Sequence, residues 1–313
     1  MTDASDRIRA LLTQLYGGAV ADAVFPQTMT LLDNARVPDA PKRDLFSERD
    51  VTLITYGDSL QRAGEAPLFT LHDFLNRHLK DTISTVHILP FYPYSSDDGF
   101  SVIDYYAVNP ALGTWEDMAR LEGDFRLMFD AVINHMSAQS EWFRLFLSDA
   151  PGFRNLFVAA SPDADLSGVT RPRTSPLLTP FRKATGDTIH MWTTFSADQV
   201  DLNYEDPETL LKILGVLLFY VERGADVIRL DAIAYLWKTI GTSCIHLPQV
   251  HGAIQFLRAA LDVVAPHVAL ITETNVPHDE NISYFGDGSN EAQLVYNFTL
   301  PPLLLHTMIS GDA

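Results

Sequence analysis

The feature that most constrains the fold of this chain is an alternation of short apolar runs with longer amphipathic segments. Each run is rich in β-branched and aromatic residues and ends in polar ones, and the segments between several of them carry apolar residues near i, i+3, i+4 and i+7. Strands that alternate with helices predict βαβ units and a parallel sheet. The six runs are 51–59, 85–91, 125–135, 226–232, 268–274 and 292–298, and the clearest helical segments are 72–80, 208–223 and 251–264.

Two architectures accept such units, an open doubly wound sheet and a (β/α)₈ barrel. Polar residues lie at or just beyond the C-terminal ends of all six runs. In a barrel the carboxyl ends of successive strands meet at one mouth, whereas an open sheet concentrates its ligand groups at one switch point. No Gly-rich phosphate fingerprint follows any run. We therefore predict an α/β fold of the (β/α)₈ TIM-barrel type, incomplete in this chain, with six βα units. The polar residues are Asp58, Asp97, Asp98, Asn134, His135, Asp231, Glu273 and Asn297.

One interval breaks the alternation. About 90 residues separate His135 from the run that begins at Asp226, and they include the segment RPRTSPLLTPFRK. A connection of this length is usually a functional insertion or a small domain. The predicted division is an N-terminal lead-in at 1–50, a first part of the barrel at 51–137, an inserted subdomain at 138–200 and a second part of the barrel at 201–313, ending after the sixth strand.

Charge and composition exclude several classes of protein. With 22 Lys+Arg against 40 Asp+Glu the net charge is −18, which disfavours binding to nucleic acid or to an anionic membrane surface. The longest apolar run, 216–221, is far below the roughly 18 residues that a membrane span needs. Cys244, the single cysteine, cannot form an internal disulfide, and the opening residues lack the apolar stretch of a signal peptide. We expect a cytoplasmic protein with no nucleic-acid or membrane partner.

Asp231 and Glu273 end two successive runs, about one βα unit apart. Two carboxylates on neighbouring strand ends suit double displacement at an acetal, in which one attacks the anomeric carbon while the other, about 5 Å away, protonates the leaving oxygen. Arg229 lies two residues before Asp231, on the same side of the strand, and we expect it to hold Asp231 ionised. The alternatives are a helix N-cap for Asp231 and an isolated strand-end charge for Glu273.

Two further clusters suit a sugar ring. In DAVINH (130–135), a neutral His135 could donate a hydrogen bond to a sugar hydroxyl, although a lone His is more often structural or a metal ligand. In SSDDGF (95–100), Phe100 offers a flat apolar face, and Asp97 or Asp98 can accept from ring hydroxyls. An ordinary Asp-Gly turn is the alternative for this second cluster.

Four motifs in order, DAVINH, QVDLN (199–203), DVIRLDA and ITETN, resemble the conserved regions of the α-amylase superfamily, glycoside hydrolase family 13. The resemblance covers the chain from about residue 50 to residue 306. It implies that Asp231 is the nucleophile and Glu273 the general acid/base. It also implies that His135, Arg229 and Asp97 hold the glucosyl ring.

Longer segments, among them FYPYSSDDGFSVIDY, RPRTSPLLTPF and ETNVPHDENISYFGDG, resemble the sucrose phosphorylase branch, which transfers glucose to inorganic phosphate. The partners implied are a small-molecule glucoside and inorganic phosphate, with no cofactor or metal. Phosphate needs a cationic pocket, and of the pair Arg171 and Arg173 the resemblance favours Arg173 as its ligand. An exposed arginine pair is the alternative. Asn275 stands where sucrose phosphorylases usually carry His, and this variation is more similar to relatives that act on sucrose 6′-phosphate, glucosylglycerate or glucosylglycerol. The donor stays open among these three and sucrose.

The family also carries a third carboxylate after its seventh strand, beyond the six runs found here. We expect the 313 residues alone to have at most a low residual activity. Because only six of the eight strands of a barrel are identified, we also expect the chain to be marginally stable or to self-associate. Three other functions remain open. They are a hydrolase or transglucosidase of the same superfamily, a non-catalytic chain that binds sugar, and a metal-dependent enzyme using Asp98, His135, Asp231 and Glu273.

Overall fold

The computed structural model describes residues 2–35, 37 and 45–312. The helices are α1 (Thr2–Tyr16), α2 (Gly18–Asp33), α3 (Pro67–His78), α4 (Trp115–Glu122), α5 (Glu141–Leu147), α6 (Pro207–Glu222), α7 (Pro248–Val264), α8 (His278–Ile282) and α9 (Leu300–Ser310). The strands are β1 (Thr52–Thr55), β2 (Thr85–Ile88), β3 (Arg126–Ala131), β4 (His135–Ser137), β5 (Leu178–Arg182), β6 (Thr188–Trp192), β7 (Gln199–Asp201), β8 (Ala225–Leu230), β9 (Ala269–Thr272) and β10 (Leu294–Val295).

Within the described residues, six of these strands form one parallel sheet in the order β1-β2-β3-β8-β9-β10. Each predicted run overlaps one of them, so the six-unit parallel sheet is confirmed, although every strand is shorter than its run. β2 and β3 are buried along their whole length, as expected for parallel strands that are covered on both faces. Leu127, Phe129, Ile228 and Leu270 fill the space between the sheet and its helices.

The predicted helices are also present. α6 begins at Pro207 after Asp206, whose side chain accepts from the Glu208 backbone N–H at 3.0 Å, and it is followed by Gly224 at φ +86°. α3 and α7 overlap the other two predicted segments. The N-terminal lead-in forms α1 and α2, and Ile8 and Leu12 of α1 are fully buried in the main core. The polar segment predicted before the first strand lies partly outside the described residues.

The inserted region leaves and rejoins the barrel at one place. β4 pairs with β7 in antiparallel register, so that His135 lies opposite Asp201. Between them lie α5 and an antiparallel hairpin of β5 and β6. This pairing fixes the chain before and after the insertion against the end of β3. The domain boundaries at 138 and 200 remain a prediction.

Candidate active site

Asp231 and Glu273 are the first residues after two neighbouring strands. β8 pairs with β9 so that Leu230 lies opposite Thr272, and the ladder continues one residue further on each side. The Asp231 N–H donates to the Ala131 carbonyl at 3.2 Å, and the Glu273 N–H donates to the Leu230 carbonyl at 3.0 Å. Backbone hydrogen bonds of the sheet therefore fix the positions from which both carboxylates project.

A cavity of about 230 Å³ lies at this carboxyl edge of the sheet. Seven of the residues singled out from the sequence line it: Asp97, Phe100, His135, Arg173, Arg229, Asp231 and Glu273. They come from loops and strands that are far apart in the chain, so the fold brings the predicted set together. Phe195, Gln199 and Ala232 complete the lining.

Arg229 is the electrostatic centre of the site. Its Nη1 donates both to Asp130 and to Asp231 Oδ1, the latter at 2.7 Å, and its Nη2 lies 3.9 Å from Glu273 Oε2. The guanidinium carbon also lies 5.5 Å from the centroid of the Phe100 ring and 5.4 Å from that of the Tyr296 ring. One buried guanidinium therefore interacts with three carboxylates.

The two aspartates on Arg229 respond differently. Burial opposes ionisation of Asp130, but its interactions with His87, whose Nε2 lies 2.8 Å from Asp130 Oδ2, and with Arg229 outweigh burial, and the pKa of Asp130 is lowered. For Asp231, burial is the largest influence, and with the charge of Glu273 it outweighs Arg229 and raises the pKa to about 7. The predicted ion pair between Arg229 and Asp231 is present, but the pKa of Asp231 is still raised, because burial together with the charges of Glu273 and Asp130 outweighs the guanidinium.

His135 is held from both ring nitrogens. Its Nε2 donates to the Phe100 carbonyl at 2.9 Å, and its Nδ1 accepts from the Asn134 amide at 3.2 Å, in the tautomer that these partners require. Burial lowers the pKa of His135, which agrees with the predicted neutral imidazole. The donor that we assigned to a sugar hydroxyl is engaged with Phe100 in this structure. His135 therefore supports the loop that carries Phe100.

Arg171 and Arg173 have different surroundings in the structure. Arg171 donates to the Ser175 carbonyl of its own loop, whereas Arg173 lines the cavity, with its guanidinium carbon 6.0 Å from the centre of the Phe195 ring. Arg173 also lines a second cavity of about 330 Å³, which shares Phe195, Ala232 and Glu273 with the first. Tyr235 and Asn275 belong to the second cavity alone. Glu273 and Arg173 therefore lie where the two cavities meet.

Two groups near the site were missed by the sequence reasoning. Gln199 donates from Nε2 to Asp97 Oδ2 at 2.8 Å; it opens the QVDLN motif, which was the available signal. Lys238 is buried, with its Nζ 2.7 Å from Asp201 Oδ2 and 2.8 Å from Asn134 Oδ1, and burial lowers its pKa. A single lysine in the segment AYLWKT gives no sequence signal for such a contact.

The described residues contain neither a group of metal ligands nor a membrane-spanning helix. Across 2–35, 37 and 45–312, no three His, Cys, Asp or Glu side chains are grouped so that they could hold a metal ion. Over the same ranges, none of the helices combines the length and the apolar character required to cross a bilayer. The cytoplasmic location stays a prediction.

Known proteins with similar sequences and structures indicate the family to which this chain belongs. Residues 78–307 match the family model described as the alpha amylase catalytic domain, which is most of the chain. The chain belongs to the alpha-amylase family. This confirms the resemblance drawn from the four motifs, and with it the assignment of the parallel sheet to the TIM-barrel type.

Several relatives of this alpha-amylase family chain carry phosphorylase names. It is 53% identical to a glucosylglycerate phosphorylase of Spirochaeta thermophila over 98% of this chain and 53% of that protein. It is 56% identical to a glucosylglycerate phosphorylase of Allomeiothermus silvanus over 86% of this chain and 48% of that protein. The structure matches that of sucrose 6F-phosphate phosphorylase from Thermoanaerobacter thermosaccharolyticum with a TM-score of 0.73 and 30% identity, covering 85% of this chain and 55% of the other. The chain thus spans about half the length of these relatives.

Proposed function

We propose that this chain carries the catalytic carboxylates of a retaining glucosyl phosphorylase that acts on glucosylglycerate and inorganic phosphate. One observation carries the proposal. Asp231 and Glu273 follow adjacent strands and line one cavity with Arg173, which supplies a cation for phosphate. The names of the most similar relatives support the reaction type.

The reaction would proceed in two displacements. Asp231 attacks the anomeric carbon, the bond from that carbon to the glyceryl oxygen breaks, and Glu273 gives its proton to the departing oxygen. Glycerate leaves and a glucosyl ester of Asp231 remains. A phosphate oxygen then attacks the same carbon, Glu273 takes the proton from the phosphate, and the ester bond breaks to release α-glucose 1-phosphate. Two inversions retain the configuration.

The charges around Asp231 suit both roles of this residue. Its pKa of about 7 leaves a large ionised fraction at neutral pH, as a nucleophile requires. Arg229, at 2.7 Å, orients the carboxylate and stabilises it when it departs from the ester in the second step. Arg229 is also held by Asp130, so the guanidinium stays in place when Asp231 is esterified.

The donor is proposed from two observations. Identity to the glucosylglycerate phosphorylases is 53% and 56%, against 30% to the sucrose 6F-phosphate phosphorylase. Asn275, which already set this sequence apart from sucrose phosphorylases, lines the second cavity beside Arg173. Glycerate and phosphate are both anions, and the arginine at the junction of the cavities can bind either. We also propose the inserted region at 138–200 as a subdomain that brings Arg173 to the barrel mouth.

The test is incubation of the purified 313-residue chain with phosphate and, separately, glucosylglycerate, glucosylglycerol, sucrose and sucrose 6′-phosphate, with long incubations and measurement of α-glucose 1-phosphate. We expect α-glucose 1-phosphate to form from glucosylglycerate only when both phosphate and Asp231 are present. Asp231→Asn is the inactive variant, and Asp165→Asn, in an exposed loop, is the matched control. Free glucose formed without phosphate would favour the hydrolase. Glucoside binding without any turnover would favour the sugar-binding chain.

A further inference from the structure

The loop 94–102 brings Asp97 and Phe100 to the first cavity in a conformation that needs outside support. A bridge between Tyr94 and Val102 closes its base. At its tip, Asp97 and Asp98 have φ of +56° and +49°, followed by Gly99 at +107°. Left-handed backbone at two successive non-glycine residues is unfavourable for L-amino acids, so contacts with the rest of the protein must maintain it.

The carboxylate of Asp198 supplies these contacts to the stem of the loop. Asp198 precedes β7, about a hundred residues further along the chain. Its Oδ2 accepts from Ser96 Oγ at 2.5 Å, from Ser101 Oγ at 2.7 Å and from Ser95 Oγ. We call Asp198 and these three serines the serine clamp. Hydrogen bonds from hydroxyls to an ionised carboxylate are stronger than those between neutral groups.

The serine clamp is fixed to the barrel on its other side. The Asp198 carbonyl accepts from the Ala138 N–H at 2.8 Å, directly after β4. Gln199, the next residue, donates from its side chain to Asp97 Oδ2 at 2.8 Å. Two successive residues therefore hold the same loop, Asp198 at its stem and Gln199 at its tip.

We propose that Asp198 is a positioning residue for the glucosyl subsite. It does not line the first cavity, so it acts through the loop, by keeping Asp97 and Phe100 turned towards the space beside Asp231. Its effect on substrate rests on the proposed function. The serine clamp itself does not, because its contacts are internal to the protein.

The first experiment needs no substrate. Hydrogen–deuterium exchange is compared for the unliganded 313-residue chain, Asp198→Ala and Asp198→Asn. The control is Asp165→Ala, which removes another carboxylate that accepts from a serine hydroxyl, Ser167 at 2.7 Å, in an exposed loop away from both cavities. Asp198→Ala should speed exchange in peptides covering 94–102 by about fivefold or more and leave α6 and α7 unchanged. Asp198→Asn should be intermediate, because its amide oxygen still accepts. Unchanged exchange in the loop, or an equal rise in α6 and α7, would overturn the proposal.

The second experiment measures kinetics with glucosylglycerate as donor. In Asp198→Ala we expect the KM of the donor to rise about tenfold or more while kcat falls less, with partial recovery in Asp198→Asn. A loosened loop with an unchanged donor KM would refute the positioning role. If the parent chain turns over none of the donors, the proposed function fails, and the exchange result still decides whether Asp198 holds the loop.

Discussion

At the scale of single residues, the position of Asp231 involves a conflict between burial and charge. The carboxylate is buried beside Glu273, and the cation that would offset this, Arg229, is shared with Asp130. In the folded state the pKa of Asp231 is therefore raised to about 7, from an ordinary value of 3.8. The contribution of this group to the stability of the fold therefore decreases as the pH rises towards about 7.

This gives a prediction for stability. The raised pKa of Asp231 stabilises the fold fully below 3.8, and that contribution is lost as the pH rises to about 7. Asp231→Asn cannot titrate and keeps the volume. Relative to the parent, its free energy of unfolding should therefore increase between pH 5 and pH 8, by on the order of 2 kcal/mol. Urea unfolding at both pH values measures it. Asp165→Asn, the exposed control, should show no such difference, and a constant gap for Asp231→Asn would mean that Asp231 ionises normally.

Glu273 offers a second test of the same electrostatics. Its charge is one of the influences that raise the pKa of Asp231. In Glu273→Gln that charge is removed, so the pKa of Asp231 should fall below about 7. Carboxyl NMR with ¹³C-labelled aspartate, assigned through Asp231→Asn, follows the titration directly. A pKa that stays the same or rises would show that the two carboxylates do not interact.

Arg173 and Arg171 form a matched pair for the phosphate site. Arg173 lines both cavities, whereas Arg171 is bound to the Ser175 carbonyl. A charge-assisted contact contributes about 1.5–3 kcal/mol, so Arg173→Ala should raise the KM for phosphate by on the order of tenfold or more. The KM for the glucoside should rise less if Arg173 binds phosphate as proposed. Arg171→Ala should leave both near parent values. Equal effects of Arg173→Ala on both substrates would contradict a role specific to phosphate.

At the scale of elements, the buried pair of Lys238 and Asp201 joins β7 to the segment after β8. Lys238→Met should lower the free energy of unfolding by about 3–5 kcal/mol, because it leaves the Asp201 carboxylate buried without its cation. Asp201→Asn removes the opposite charge. The double variant should lose at least about 1 kcal/mol less than the sum of the two single losses. Denaturant unfolding of all four proteins tests this, and strict additivity would show that the pair is not coupled.

The helices and strands show which parts of the fold can be predicted from the sequence. Apolar periodicity predicted all six strands of the sheet and three helices, because burial on a sheet face or helix face leaves a local pattern. The positions of Asp231 and Glu273 at strand ends predicted that they lie close together, because the C-terminal ends of parallel strands meet at one edge of the sheet. The pKa of Asp231 and the roles of Asp198 and Lys238 could not be predicted. They depend on contacts between residues from separate parts of the chain, and no local pattern records those contacts.

At the scale of the whole molecule, the described sheet ends at β1 and β10, each of which pairs with a single neighbour in the part of the chain that the structure describes. Unpaired edges of parallel strands are sites for association with other chains. The helix α9, which follows β10, has none of its residues buried, and Leu305, Met308 and Ile309 are 60%, 81% and 85% exposed. A helix this apolar is normally covered by protein.

We therefore predict that the 313-residue chain self-associates through α9, so that its sedimentation coefficient rises with concentration between about 1 and 100 µM. Leu305→Lys combined with Met308→Lys should suppress this rise. Both changes make the net charge of −18 less negative, which by itself would favour association, so a loss of association can be attributed to the lost apolar surface. Asp163→Lys, an exposed change of the same sign far from α9 in the chain, controls for charge and should associate as the parent does. Concentration dependence that persists in the α9 double variant would place the contact at the sheet edges instead.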